Sequence, residues 1–302
     1  MRKKIFDPLG INFRFLTFDW IFHPSSIVHH LYLLFCVFMI SVLTGCQPQM
    51  QKEEPLCAGK PTAAEAIGTL RQKQAAQLSL QAAVHCDIEI ANPQGKPNHE
   101  NFNGKMVFAG PDNLRIGGDK FGPIQIGANA KEFWFYVKPG LDTAWWGEKK
   151  IIPSCAGKLG FNPSYLAEAL GQIDLDRDWT LTQEPGIDIL TAQDADGIRK
   201  VSINCCTYQI ERIEYCDIYG NRVASADLSD YRDVPKAGRI PQAIELRHFR
   251  TGKTGSVVRL RLSAISSFTP KPTQQKLFER PVPKGYKSVY RWTQNCEFTA
   301  EE

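Results

Sequence analysis

The residue with the clearest chemistry in this 302-residue chain is Cys46, which closes the run Leu43-Thr44-Gly45-Cys46. A thiol is a nucleophile, and the small Thr44 and Gly45 beside it leave room for an enzyme to reach it. The preceding stretch, Leu31 to Leu43, is apolar and carries no charge, so it would hold the thiol at a membrane surface. At 13 residues it is short of the ~20 that an α-helix needs to span a bilayer, and it matches the apolar region of a signal peptide. Whether the run is cleaved or kept as an anchor, the rest of the chain lies outside the cytoplasm. The nearest Lys or Arg before it is Arg14. A signal peptide carries its positive charge next to the apolar run, which points to a translation start at roughly residue 28.

Seven further cysteines follow: Cys57, Cys86, Cys155, Cys205, Cys206, Cys216 and Cys296. Outside the cytoplasm disulfides are the default, and an odd number leaves at least one thiol without an internal partner. Pairings such as Cys57 with Cys86 or Cys296 are open. Cys205-Cys206 falls at a hairpin tip between Ile203 and Ile210. A straight hairpin then puts Cys216 on the order of 30 Å from that tip, too far for a bond that needs Cα atoms within about 7 Å. There is no C-x-x-C, and His85, His99 and His248 are scattered, so no redox pair or zinc site is expected. No H-E-x-x-H, G-x-S-x-G, P-loop or S-x-x-K pattern occurs. Asp174, Asp176 and Asp178 imitate the start of a calcium loop, but Trp179 stands where glycine is needed and Pro185 where the bidentate glutamate belongs. The reading is of a protein that is not an enzyme, with no catalytic residue, metal or cofactor. Beyond Cys46 the chain carries 32 basic and 30 acidic residues with no basic block, which excludes nucleic acid as a partner.

The elements that must position these residues are mostly strands. Gln47 to Lys60 reads as a tether. Thr62 can cap a helix running to about Leu80, with Glu65 three residues on. The period then changes to two. Apolar runs lie at 84–90, 105–109, 113–116, 123–126, 132–137 and 143–146, separated by Gly-, Pro- and Asn-containing turns. Asn162-Pro163 opens a second helix, which Gly171 ends. Strands resume at 179–183 and 187–192, then 200–205, 210–217, 222–230, 243–249 and 256–264. The fold class expected is α+β, mainly β: one antiparallel sheet of roughly ten strands, curved because strand twist accumulates over that width.

Two stretches resemble known families. Leu43-Thr44-Gly45-Cys46 resembles the lipobox of bacterial lipoproteins, which implies that Cys46 is acylated and becomes the new N-terminus. Gln47 after it is similar to lipoproteins sorted to the outer membrane, which implies the cell envelope, on the periplasmic side of that membrane. Ile126 to Pro139, with the earlier Pro111-Asp112-Asn113-Leu114-Arg115 and the closing Lys276 to Gly285, resembles the outer-membrane lipoprotein carrier and receptor family, LolA and LolB. The resemblance implies an unclosed half-barrel with helices covering its concave face and an apolar cavity between them. The carrier has an arginine just before the proline, associated with holding cargo; here that position is Gly110. Only lipid or acyl-chain binding is therefore carried over, with transport to the outer membrane as the use it implies.

The organisation expected is a signal peptide over 1–45, a lipidated tether over 46–61, a half-barrel over 62–290 and a tail over 291–302. Cys46 is the lipidation site. Glu132 to Val137 is apolar on both faces, as a strand exposed on one side should not be. The cavity candidates are Phe108, Leu114, Ile116, Phe133, Trp134, Phe135, Tyr136, Trp145, Tyr165 and Leu166. The partners expected are lipid acyl chains or lipoprotein cargo, and the membrane through the lipid anchor. The competing reading is an interaction lipoprotein whose core is filled.

Overall fold

The computed structural model describes residues 57–74, 78–91, 97–118, 124–138, 142–155, 162–195, 197–250, 253–271 and 276–301. Cys46, the signal region and the tether up to residue 56 lie outside the described residues.

The chain begins with α1 (Ala63–Lys73), capped by Thr62, whose side chain accepts from the Glu65 N–H at 3.3 Å. The helix ends earlier than expected. Leu78 and Leu80 belong to the approach and start of β1 (Ser79–Ala91), where both are buried. β2 (Pro97–Ala109), β3 (Asn113–Gly118), β4 (Gln125–Ala128), β5 (Glu132–Val137) and β6 (Thr143–Glu148) follow as an antiparallel meander. A 3-10 turn (Lys149–Ile151) leads into the four-residue α2 (Ile152–Cys155) and then α3 (Pro163–Ala169). The Asn162 side chain accepts from the Ser164 N–H at 2.9 Å and Pro163 opens the helix. Gly171, at φ +98°, closes it with its N–H on the Glu168 carbonyl.

The second meander runs through β7 (Trp179–Glu184), β8 (Ile187–Asp194), β9 (Gly197–Asn204), β10 (Ile210–Cys216), β11 (Arg222–Val234), β12 (Gly238–Arg250) and β13 (Lys253–Ser267). β13 pairs with β1, so the two meanders join along their middle into one unclosed sheet. The sheet has 15 strands, against the roughly ten expected. It runs in the order β15-β14-β6-β5-β4-β3-β2-β1-β13-β12-β11-β10-β9-β8-β7. β14 (Ser288–Trp292) and β15 (Phe298–Ala300) extend the β6 edge, and β14 runs parallel to β6, so the sheet is mixed rather than wholly antiparallel. Within the expected C-terminal tail of 291–302, the described residues supply the end of β14 and all of β15.

The chain leaves one side of the sheet at β6 and re-enters at the far edge, β7. α3 lies on that crossover and touches β4, β11 and β12, strands far apart in the sheet order. A short helix can reach both only if the sheet curls around it, and this is how the concave face acquires its cover. Tyr165, Leu166, Ala169 and Leu170 bury the inner stripe of α3, while Ala66 and Leu70 do so for α1.

Two disulfides close the framework, Cys57–Cys206 with Cα atoms 5.0 Å apart and Cys155–Cys296 at 5.3 Å. Cys57 therefore pairs with neither Cys86 nor Cys296. Cys205 and Cys206 do occupy the tip between β9 and β10, and Cys216 sits at the other end of β10. Cys86, Cys205 and Cys216 are free.

Candidate functional site

Alternation along each strand divides the sequence candidates between two faces. Phe108, Leu114, Ile116 and Phe135 point into the concave interior, where Tyr165 and Leu166 of α3 meet them in one continuous core. Trp145 packs against that core, its ring centroid 6.0 Å from that of Phe135. Seven of the ten candidates are thereby brought together. Phe133 shares the inward parity of Phe135 but belongs to a separate cluster with Ile151, Ile152, Cys155 and Trp292.

Trp134 and Tyr136 are not in the interior. They lie on the opposite face with Ala144 and Trp146, packed against Tyr286 and Val289. What the sequence could not show is that the C-terminal segment crosses this outer face as a strap. The Tyr136 hydroxyl donates to the Pro281 carbonyl at 2.9 Å, and the Trp146 indole N–H donates to the Glu301 carboxylate at 2.7 Å. Arg280 stacks on the Trp146 ring, 3.7 Å from its centroid. Asn129 donates to the Phe278 carbonyl and Arg115 to that of Leu277, each at 2.9 Å. The doubly apolar β5 is thus explained by a helix-covered face and a strap-covered face. Gly127, opposite Trp134 in β4, makes this packing possible, because a Cβ there would come within 2.3 Å of the indole.

The interior also holds a polar cluster that no motif announced. Glu168 on α3 pairs with Arg199 on β9 at 3.2 Å, and Arg199 lies 5.8 Å from the Tyr215 ring centroid. Tyr165 stacks on Tyr215 at 3.7 Å between centroids. Burial pushes the Glu168 carboxyl above the usual carboxylate range, an effect that Arg199 partly offsets. Burial raises the Tyr165 phenol to about 12 and holds the Tyr215 phenol well above its ordinary range. One signal was available: Arg199 takes an inward position in the alternation Arg199-Val201-Ile203, where an apolar residue is expected. The cluster joins α3 to the far arm of the sheet.

Voids remain between helices and sheet. A crevice of about 50 Å³ opens between the ends of α1 and α3 and strands β10 to β12, and one of about 20 Å³ lies by Asn162 and Tyr165. The smaller is the size of one water molecule. In this closed arrangement neither holds an acyl chain.

Away from the strap, on β10 to β12, the outer face carries ion pairs: Arg212 and Arg247 both reach Asp227, at 2.6 and 2.5 Å. Asp87, Glu89 and His99 also gather on that face with ligand atoms within 4.8 Å of one another. Arg259 already sits against Glu89 at 2.6 Å and Glu245 at 2.9 Å, so a cation is supplied by the protein itself.

The strand order and helix placement define an unclosed half-barrel with helices on its concave face, the architecture expected from the sequence. Several solved structures are similar to this chain. A LolA superfamily protein from Nitrosomonas europaea is 12% identical over 73% of this chain and 99% of that one, with a TM-score of 0.45. A DUF1329 family protein from Desulfovibrio piger is 13% identical over 72% and 96%, with a TM-score of 0.47. A domain from Vibrio parahaemolyticus described as an outer membrane lipoprotein-sorting protein is 11% identical over 72% and 98%, with a TM-score of 0.43. At identities of 11–13% and TM-scores below 0.5, these likenesses carry no argument about what the chain does. No family model and no curated protein matches the chain. The two disulfides fit an envelope location, where thiols are oxidised.

Proposed function

We propose that this chain is a cell-envelope lipoprotein that accepts a lipid or lipoprotein acyl chain between α3 and the concave face of the sheet. The observation that carries the reading is the cover itself. α3 has only seven residues and α1 eleven, and each rests on the sheet through a few apolar side chains. Helices this short have little stability of their own and depend on that contact. Lifting α3 exposes chiefly Tyr165, Leu166 and Leu170, at about 1.5–3 kcal/mol each. A chain that buries ten methylenes returns about 8 kcal/mol, comparable to that cost, so the cover can exchange its own side chains for a ligand. On this reading Cys46 carries the membrane anchor, which needs two or more acyl chains to be stable. The role is binding and delivery rather than catalysis, at the periplasmic side of the outer membrane.

The test is native mass spectrometry of the unacylated domain, joined to titration with a fluorescent fatty acid. Bound lipid or saturable, displaceable fluorescence supports the proposal. A bare mass together with no saturable binding removes it and favours an interaction domain with a filled core, a reading that the small size of the interior voids also supports.

A further inference from the structure

The 50 Å³ crevice has an apolar floor and a cationic rim. Leu70, Ile210 and Leu228, all members of the main core, line its depth, while Lys73, Gln74 and Arg239 stand at its edge. Lys73 and Arg239 also border an open cleft of about 490 Å³ against the β11–β12 turn, a volume within the range of ligand pockets. The two cations therefore mark the passage from the surface cleft to the core. A third is close: the Lys60 and Lys73 ammonium groups lie 5.4 and 6.0 Å from the Tyr208 ring centroid. Burial, then Arg239 and Lys60, lower the proton affinity of Lys73, as expected where positive charges crowd.

The acids nearby do little to neutralise this rim. Asp233 reaches Arg239 only at 4.0 Å and is almost wholly exposed. The Lys73 ammonium donates to the Thr207 carbonyl, and the Gln209 amide, turned with its oxygen toward Arg239, accepts from the guanidinium. Both partners are neutral. The Gln74 side-chain amide nitrogen is buried with no hydrogen-bond partner among the described residues, which is costly unless something fills the place. The rim thus offers two cations to whatever occupies the cleft, and a spare donor within the crevice that opens from it. Its place matters as well. Thr207 adjoins Cys206, the disulfide partner of Cys57, so the rim lies at the end of the sheet where the tether enters. Cys57 is eleven residues beyond Cys46, a reach of at most about 40 Å.

We propose that Lys73, Arg239 and Gln74 form a headgroup site for an anionic amphiphile, binding its phosphate or carboxylate oxygens while its chain enters between Leu70, Ile210 and Leu228. The inference rests on the acyl-chain reading above and adds the end of entry and the charge of the cargo.

The test uses the full chain kept in solution by a neutral amphipathic polymer, with equilibrium dialysis against radiolabelled dodecyl phosphate, 1-dodecanol or inorganic phosphate. Rim cations this exposed contribute about three- to fivefold each. Wild type should therefore prefer dodecyl phosphate over dodecanol by about ten- to twenty-fivefold. The double variant Lys73→Gln/Arg239→Gln should lose that preference while dodecanol binding stays unchanged, and Lys73→Arg/Arg239→Lys should keep it. Equal affinity of wild type for the two amphiphiles overturns the headgroup site and leaves the acyl-chain reading standing. Inorganic phosphate binding as tightly as dodecyl phosphate overturns the amphiphile assignment in favour of a free oxyanion. Binding of neither amphiphile overturns the site and the acyl-chain reading together.

Discussion

Replacing Leu166 by alanine isolates the contact on which the helical cover depends. Leu166 is fully buried where α3 meets the concave face. Truncation removes three carbon groups, worth about 2.4 kcal/mol at ~0.8 kcal/mol each. A residual void of ~50 Å³ would add about 1.2 kcal/mol. The expected loss is therefore about 2.5–4 kcal/mol, which for a domain of this size lowers the melting temperature by roughly 5–15 °C. Denaturant midpoints at unchanged slope give the free energy directly. The reasoning makes a second demand: the void lies where the chain is proposed to bind, so saturating dodecanoate should restore more stability to Leu166→Ala than to wild type. Tyr136→Phe is the control. It removes the hydroxyl that donates to the Pro281 carbonyl on the strap-covered face, costs about 1 kcal/mol, and should leave the ligand shift unchanged. A loss under ~1 kcal/mol for Leu166→Ala would mean that α3 is not seated as described. An identical ligand shift in all three proteins would place the ligand elsewhere.

Further expectations follow from the packing and the charges. Removing Cys155–Cys296, which links positions 141 residues apart, should cost about 2–5 kcal/mol, measured as the denaturation midpoint of the Cys155→Ser/Cys296→Ser protein; no change would mean that the strap is held without it. Gly127→Ala should destabilise by about 1–3 kcal/mol through collision with Trp134, and a neutral result in thermal melts would contradict the packing. The Glu168 carboxyl binds its proton more tightly folded than unfolded. Its contribution to stability is therefore complete below the ordinary glutamate range and is lost as pH rises through the raised folded value. Melting temperatures of wild type and Glu168→Gln, compared from pH 4 upward, should show the variant gaining relative to wild type with rising pH. The opposite slope would show that Arg199 outweighs burial.

The parts of the fold legible in the sequence were those set by local rules. Thr62 and Asn162 cap helices because a side-chain oxygen beside a free N–H needs nothing distant. The tip at Cys205-Cys206 follows from the apolar positions on either side of it. The parts missed depend on long-range choices. β14 and β15 carry little buried surface, and every residue of β15 is exposed, so they show no alternation to read and owe their existence to the free edge of β6. The pairing of Cys57 with Cys206 and of Cys155 with Cys296 depends on how distant segments lie in space, which spacing does not encode. Phe133, Trp134, Phe135 and Tyr136 were all expected in the cavity, because which face of β5 meets helices and which meets the strap depends on the course of residues 276–301. Arg199 broke the inward pattern of β9 in plain sight, although its partner Glu168 lies on a separate element.

The most direct test of the central claim is to map where an acyl chain resides. A diazirine-bearing fatty acid, photolysed on the protein and located by tandem mass spectrometry, should label peptides containing 125–128 and 163–169, the strand and helix that touch across the concave interior. Adducts confined to the strap at 278–292 or to the outer face, or none above a competed background, would contradict the account.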